Sequence, residues 1–534
     1  MPASKSSKPS RTFKKAPAPR ISSGIFSGAV VFVLLAAVGI AAASWFYGQG
    51  YVLYYGDAEA HLNTARRIVD SRNPGYDQAG SPWLPLPHAL MLPFVGNDSL
   101  WQSGLAGTIP AVASFVFAGT MLFAAARRVF QSTAAGVCTA ALFALNPNLL
   151  YLQSTPMTEP VFFLTLCGLL YCTVAFHTTQ SILAIAGAGI FSIAASLTRY
   201  EGWSLIPFIA FYFLVASRSN RIRNAVIFGA VASIAPLYWM GHNWWYYGTF
   251  FEFYFGPYSA KGIYERDLAA GMARFPTDHD WAKSIFYFRS AAQLAIGPVL
   301  LFVGIAGLAA AVIRKAFWPV IFLALPPLFY VLSMYSSGVP IFVPHLWPNG
   351  YYNTRYGLAV LPMLALGGGA LVAIAPQKLR ALAAALVILA CVIPWLAYPR
   401  AENWICWKES EVNSIARRAW TREAAGYLRD HIRPGDTVFA SFGDQTGIFR
   451  EAGIPMHQTI HDGDNPQWMA AMARPDLFLN AEWAVTRGAD ALATTIDRAA
   501  KNGPRYRCVK IVSVKDAPVI RIFRRETPPP VPTP

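Results

Sequence analysis

Long apolar runs broken by short polar or basic interruptions follow one another from about residue 24 to residue 398 and then stop. Most of them have roughly 17 to 25 residues, the length an α-helix needs to cross a hydrocarbon core about 30 Å thick. A membrane β-barrel would show apolar and polar positions in alternation instead. The runs predict about eleven membrane-spanning helices, near residues 24–47, 104–126, 133–151, 160–176, 182–198, 203–216, 225–246, 291–313, 317–334, 356–375 and 379–398. The first external loop, 48–103, is too long for a simple connection and holds two helix-like pieces. In "DAEAHLNTARRIVDS" the residues Ala58, Leu62, Ala65 and Val69 share one face, which predicts a helix lying along the membrane. "WLPLPHALMLPFV" is a second interfacial segment.

From residue 399 onward the pattern changes and charges become frequent. "SEVNSIARRAWTREAAGYLRDHI" reads as a helix, "GDTVFAS" as a buried strand, and "RCVKIVSV" with "PVIRIFRR" as two strands around Asp516 and Ala517. The predicted fold class is a polytopic α-helical membrane protein with a C-terminal external α/β domain. Its parts are a basic tail (1–23), a membrane domain (24–398), the α/β domain (399–525) and a disordered proline-rich tail (526–534) whose residues donate too few backbone hydrogen bonds to form a strand.

Composition agrees: 54% of residues are hydrophobic and 13% charged, with a mean hydropathy of +0.36. The net charge of +16 would fit a nucleic-acid partner if it were clustered on a soluble surface. Instead Arg127, Arg128, Arg218, Arg221, Arg223, Arg314, Lys315, Lys378 and Arg380 sit in alternate loops beside apolar runs. By the positive-inside tendency these loops and the basic tail are cytoplasmic, and the α/β domain is external. The expectation is an inner (plasma) membrane protein with an uncleaved first helix and no nucleic-acid partner. No phosphate loop GxxxxGK[ST] and no GxGxxG fingerprint occurs, so ATP-driven pumping and dinucleotide chemistry lack support. Four of six cysteines fall in apolar runs, whereas Cys406 and Cys508 fall on the external side, where a disulfide between them would persist.

Charged residues recur at the external ends of the helices. Asp57, Glu59 and His61 lie in the first loop, with Asp57 readable as a helix N-cap or as a catalytic acid. In a continuous helix Asp57 and Glu59 point about 200° apart, so both face one site only if Asp57 precedes the helix. Glu159 in "STPMTEP" is either a first-turn helix residue behind a Thr158 cap or a second site carboxylate. Arg199 and Glu201 in "TRYEGW" are an ion pair or ligand groups, His242 lies near Lys261 and Arg266 in an aromatic external segment, and Arg355 with Tyr356 closes "YYNTRYG". Arg355 is readable as a lipid-headgroup anchor or as a phosphate ligand.

These motifs, in this order along the helices and followed by an external domain, resemble the GT-C superfamily of membrane glycosyltransferases. The resemblance is to its bacterial branch related to protein O-mannosyltransferases and aminoarabinose-lipid A transferases. It implies transfer of a sugar from a polyprenyl-phosphate donor to a hydroxyl of a protein, lipid or glycan on the external face, with inversion. It implies Asp57 as the base and Glu159 as the second-loop acid. The donor phosphate would meet Arg355, with Lys261, Arg266 and Arg199 as further candidates, and Glu59, His61, Glu201, His242 and Tyr356 would assist. The chain has Asp-Ala-Glu where the O-mannosyltransferases have adjacent Asp-Glu, and it lacks an Asp-rich metal motif. Participation of a divalent cation, Mg or Mn, is left open. A transporter or lipid flippase is the rival reading, but it would place its ionisable groups near mid-span. A membrane scaffold is a third.

Overall fold

The computed structural model describes residues 21–336, 339–397, 403–443, 445–464 and 466–526. The expected basic tail and proline-rich tail lie almost wholly outside them. Every predicted span has a helical counterpart, from Ile21–Gly48 to Arg380–Ala397. Seven helices are long and apolar enough to cross a membrane, or eight if one bent pair counts as a single span. The chain is a multi-pass membrane protein.

Two expected spans differ in shape. The run predicted as 291–313 belongs to two helices, Trp281–Ile296 and Pro298–Ile313, bent by 110°. The break falls at Gly297, whose φ of 78° favours glycine, and a Cβ there would stand 2.6 Å from the Trp395 ring. The run predicted as 133–151 divides into Thr133–Ala144 and Pro147–Leu152, with the Asn146 side chain capping the second piece.

Small residues let the helices approach closely. A Cβ on Gly307 would lie 2.0 Å from the Gly367 carbonyl oxygen, and one on Gly367 would lie 2.3 Å from that of Gly304. The Pro298–Ile313 helix therefore meets the Leu361–Ile374 helix backbone to backbone.

The long loop between the first two spans turns toward protein the helix face expected to lie along a membrane. Its Gly56–Val69 helix buries Leu62 and Ala65 against Met91, Val95, Trp101 and Met456, so protein covers the apolar face. Val69, expected on that face, is exposed.

In the C-terminal domain, strands β1 (Val438–Ala440), β2 (Thr459–Ile460), β3 (Trp483–Arg487), β4 (Tyr506–Val512) and β5 (Ile520–Arg525) form one sheet in the order β2-β1-β3-β5-β4. β1 runs parallel to β2 and β3, and β5 is antiparallel to β3 and β4. The β4–β5 turn holds Asp516 at φ 58°, a conformation that aspartate tolerates better than most residues. One helix, Ile405–His431, joins the two halves of the molecule. Ile405, Cys406 and Trp407 at its start are buried in the core of the membrane domain, and Trp420, Ala424 and Leu428 pack on the sheet. The expected Cys406–Cys508 disulfide is absent: Cys406 is sealed in the first of these cores, whereas Cys508 is an exposed thiol on the edge strand β4.

Candidate functional site

Arg355 gathers three segments that are remote in sequence. It sits in the 3₁₀ turn Thr354–Val360, directly before the Leu361–Ile374 helix. The turn explains its own sequence. Asn353 holds φ 54°, which asparagine tolerates, and a Cβ on Gly357 would meet the Ala291 backbone at 2.5 Å.

The Arg355 guanidinium donates from Nη2 to Asp57 Oδ2 at 2.5 Å, from Nε to Glu159 Oε1 at 3.0 Å and from Nη1 to Glu409 Oε1 at 3.1 Å. Its planar fork suits three acids approaching from three directions. The rings of Tyr55 and Tyr356 flank it at 5.1 and 5.0 Å. Its side chain is only 6% exposed, too enclosed for the headgroup-anchor reading.

Asp57 is not an N-cap. The Gly56–Val69 helix is preceded by Tyr55 and has no side-chain cap, so Asp57 belongs to the first turn, where the positive helix end favours its charge. With 47% of its side chain exposed, it is the most open of the three acids. Glu159 likewise begins a helix with Pro160 beside it, as expected, but Thr158 makes no cap bond and accepts instead from Arg199 Nη1 at 2.8 Å. Glu159 Oε2 is buried without a hydrogen bond.

A second arginine extends the network. Arg199 donates to Glu201 at 2.7 Å, to Glu159 at 3.3 Å and to the Tyr330 hydroxyl at 3.0 Å. Tyr330 in turn donates to Glu201. The pair expected between Arg199 and Glu201 therefore exists, and it is joined to the Arg355 group through Glu159. Tyr356 lies between the two guanidiniums, 5.2 Å from that of Arg199.

Other candidates point elsewhere. Because Asp57 stands inside the helix, Glu59 leaves from another side and pairs with Arg417 and with Arg450 at 2.9 Å, binding the first loop to the C-terminal domain. His61 Nδ1 lies 3.0 Å from His88 Nε2, and its ring rests on Trp83. Burial, helped by the charges of Arg199 and Arg355, pulls His61 down to about 3, so the ring is neutral near pH 7. His242 stacks on Trp239 with both ring nitrogens buried and unbonded. Lys261 pairs with Glu265, and Arg266 donates to the Pro257 carbonyl. Among the described residues, no hydrogen bond or ion pair links His242, Lys261 or Arg266 to the Arg355 group.

Sequence reasoning missed Glu409. This carboxylate comes from the Ile405–His431 helix, is 2% exposed, and accepts from Asn353 N, Thr354 N, Thr354 Oγ1 and Arg355 Nη1. Burial pushes it above the ordinary range, while Arg355 and the Thr354 donors pull the other way. A signal was present: Cys406, Ser410 and Ser414, spaced by four, mark a small-residue face beside it, and all are buried.

Among the described residues no group of three or more His, Cys, Asp or Glu is arranged to hold a metal. The three acids converge on a guanidinium rather than on a gap, so a Mg or Mn ion finds no fitting ligand set there. Asp57 and Arg355 instead line a cavity of about 280 Å³ between the membrane helices and the C-terminal domain.

The model of the dolichyl-phosphate-mannose-protein mannosyltransferase family matches residues 98–245, less than a third of the chain. That stretch holds Glu159, Arg199, Glu201 and His242. The crystal structure of ArnT from Cupriavidus metallidurans bound to undecaprenyl phosphate is similar with a TM-score of 0.50 and 15% identity, over 92% of this chain and 97% of that one. The apo structure of ArnT from the same organism gives 0.55 and 13%, over 93% and 98%. No curated protein sequence matches the chain. The shared fold over nearly the whole length, with the family match, supports the resemblance to GT-C membrane glycosyltransferases.

Proposed function

We propose that the protein transfers a sugar from a polyprenyl-phosphate carrier to a hydroxyl acceptor at the external face of the inner membrane, with its N-terminus cytoplasmic and its α/β domain external. The observation that carries this reading is the partly exposed Asp57 carboxylate fixed by Arg355 at 2.5 Å at the mouth of a cavity, in a chain with the fold of ArnT. An acid held in one orientation and open on one side can receive a proton from a bound hydroxyl. The acceptor oxygen then attacks the anomeric carbon, the bond from that carbon to the phosphate oxygen breaks, and the polyprenyl phosphate leaves with the electron pair. The displacement inverts the anomeric centre.

In this reading Arg355 first positions Asp57, since three of its N–H groups already serve carboxylates. Its remaining N–H groups, with Arg199, are the candidates for the donor phosphate. Glu159 holds both arginines in register.

Asp57→Asn tests the reading. The amide keeps the size of the side chain but cannot take the proton, so the glycan product should vanish from cells while the purified protein stays folded, losing less thermal stability than Glu409→Gln because Asp57 is half-exposed. Retained product at wild-type level refutes Asp57 as the base.

A further inference from the structure

The cavity beside Asp57 has walls from both halves of the molecule. Tyr54, Tyr352 and Asn413 line one part, and Arg487 at the end of β3 with the Asp516–Pro518 turn lines another. We propose that this cavity is the acceptor subsite, that its occupant is a sugar ring of a glycan acceptor, and that Arg487 and the β4–β5 turn determine its specificity. This inference rests on the glycosyl-transfer reading above.

The lining decides the class of occupant. Apart from Ala416, Ala517 and Pro518, the lining side chains are aromatic or carry hydrogen-bonding groups, and no exposed apolar residue of the apolar helices contributes. A polyprenyl chain would need an apolar, membrane-facing wall, so the carrier belongs elsewhere. A sugar ring offers hydroxyls for Asn413, Arg487 and Asp516 and a C–H face for the Tyr54 or Tyr352 ring. The volume, about 280 Å³, lies just below the range of roughly 300–1,000 Å³ typical of small-molecule sites. It suits a terminal ring rather than a folded segment of protein.

The position decides the role. Asp57 faces this cavity, so a hydroxyl bound there reaches the carboxylate proposed as base. The C-terminal domain reaches the cavity by three routes: Asn413 and Arg417 on the joining helix, Arg487 on β3, and the turn after β4. Arg417 is held by Glu59, which explains why Glu59 is buried away from Arg355: it fixes the domain that completes the pocket.

The test uses the full chain in lipid nanodiscs and saturation-transfer NMR with two probes, a panel of methyl glycosides and a short Ser/Thr peptide. At least one methyl glycoside should bind, and Arg487→Ala should weaken it about tenfold. Ala517→Trp, which fills the cavity from the β4–β5 turn, should weaken it at least as much. Absence of saccharide binding, binding that neither variant alters, or peptide binding in place of saccharide overturns the proposal. Glycan profiling of Asp57→Asn cells separates the two ideas. Product lost with no saccharide bound leaves the transfer reading standing and removes the subsite. Product retained with variant-sensitive saccharide binding keeps the subsite and refutes only Asp57 as the base.

Discussion

Glu409 offers the sharpest check on how the site is built. Its two oxygens divide the work: Oε2 accepts from Thr354 N at 2.7 Å and Thr354 Oγ1 at 2.5 Å, and Oε1 accepts from Asn353 N at 3.0 Å and Arg355 Nη1 at 3.1 Å. In Glu409→Gln only one end can still accept, and the other turns an NH₂ group toward two donors. Breaking a buried ion pair costs about 3–5 kcal/mol. Arg355 keeps Asp57 and Glu159, so Gln should fall near the lower limit and Ala, which removes every acceptor, near the upper. Glu411 on the same helix supplies the control. It pairs with Lys408 at 2.8 Å with 29% of its side chain exposed, and such a pair is worth about 0.2–1 kcal/mol. Thermal unfolding of the detergent-solubilised protein should rank Glu409→Ala below Glu409→Gln, and both well below Glu411→Gln. Glycan product should fall in the same order, because a loosened Arg355 no longer holds Asp57. A Glu409→Gln protein as stable and active as Glu411→Gln would refute the idea that this carboxylate sets the site.

Arg355→Lys keeps the charge but replaces a planar fork by a single ammonium, which cannot serve three acids at once. Product should drop at least about tenfold, and further in Arg355→Ala, as read by glycan profiling. His61 is neutral in the folded protein because burial and two arginines hold it near 3. Its ordinary value is near 6.5, so the unfolded chain binds the proton first as pH falls, and stability present above about 6.5 is lost toward 3. The slope from this group is at most about 1.4 kcal/mol per pH unit. The thermal midpoint should therefore fall between pH 7 and pH 5, and less steeply in His61→Gln; some slope should remain, since burial also holds the adjacent His88 well below its usual range. Reporter fusions at residues 130 and 420 should give signals on opposite sides of the membrane, and matching signals would refute the proposed topology.

Helices were legible in the sequence because apolar runs of membrane length leave few alternatives, and the β4–β5 pair because two apolar strands flank a turn. β2, only two residues long, and β3 were not found, since neither carries a period that a short buried strand would need to stand out. The site was half legible. Asp57, Glu159, Arg199, Glu201 and Arg355 are costly to place at apolar helix ends, so sequence alone marked them, with Tyr356 beside Arg355, and the fold brings them together. Glu409 was hidden because it lies in a charge-rich helix, where one more acid is unremarkable until its neighbours are known. Glu59 misled for the converse reason: spacing showed that it left the helix on another side, but not that two arginines waited there.

The contact between Gly307 and Gly367 has a consequence at the other end of its helix. Gly367 is twelve residues beyond Arg355, roughly 20 Å along a helical rise. Where backbone rests directly on backbone, no side chain can yield, and one added methyl must displace the whole helix. The rod that carries Arg355 would then be pushed off its seat like a misregistered gauge, and a shift of even 1 Å exceeds what bonds of 2.5 to 3.1 Å can follow. The setting of the three acids is thus fixed partly deep in the bundle, by glycines that touch none of them.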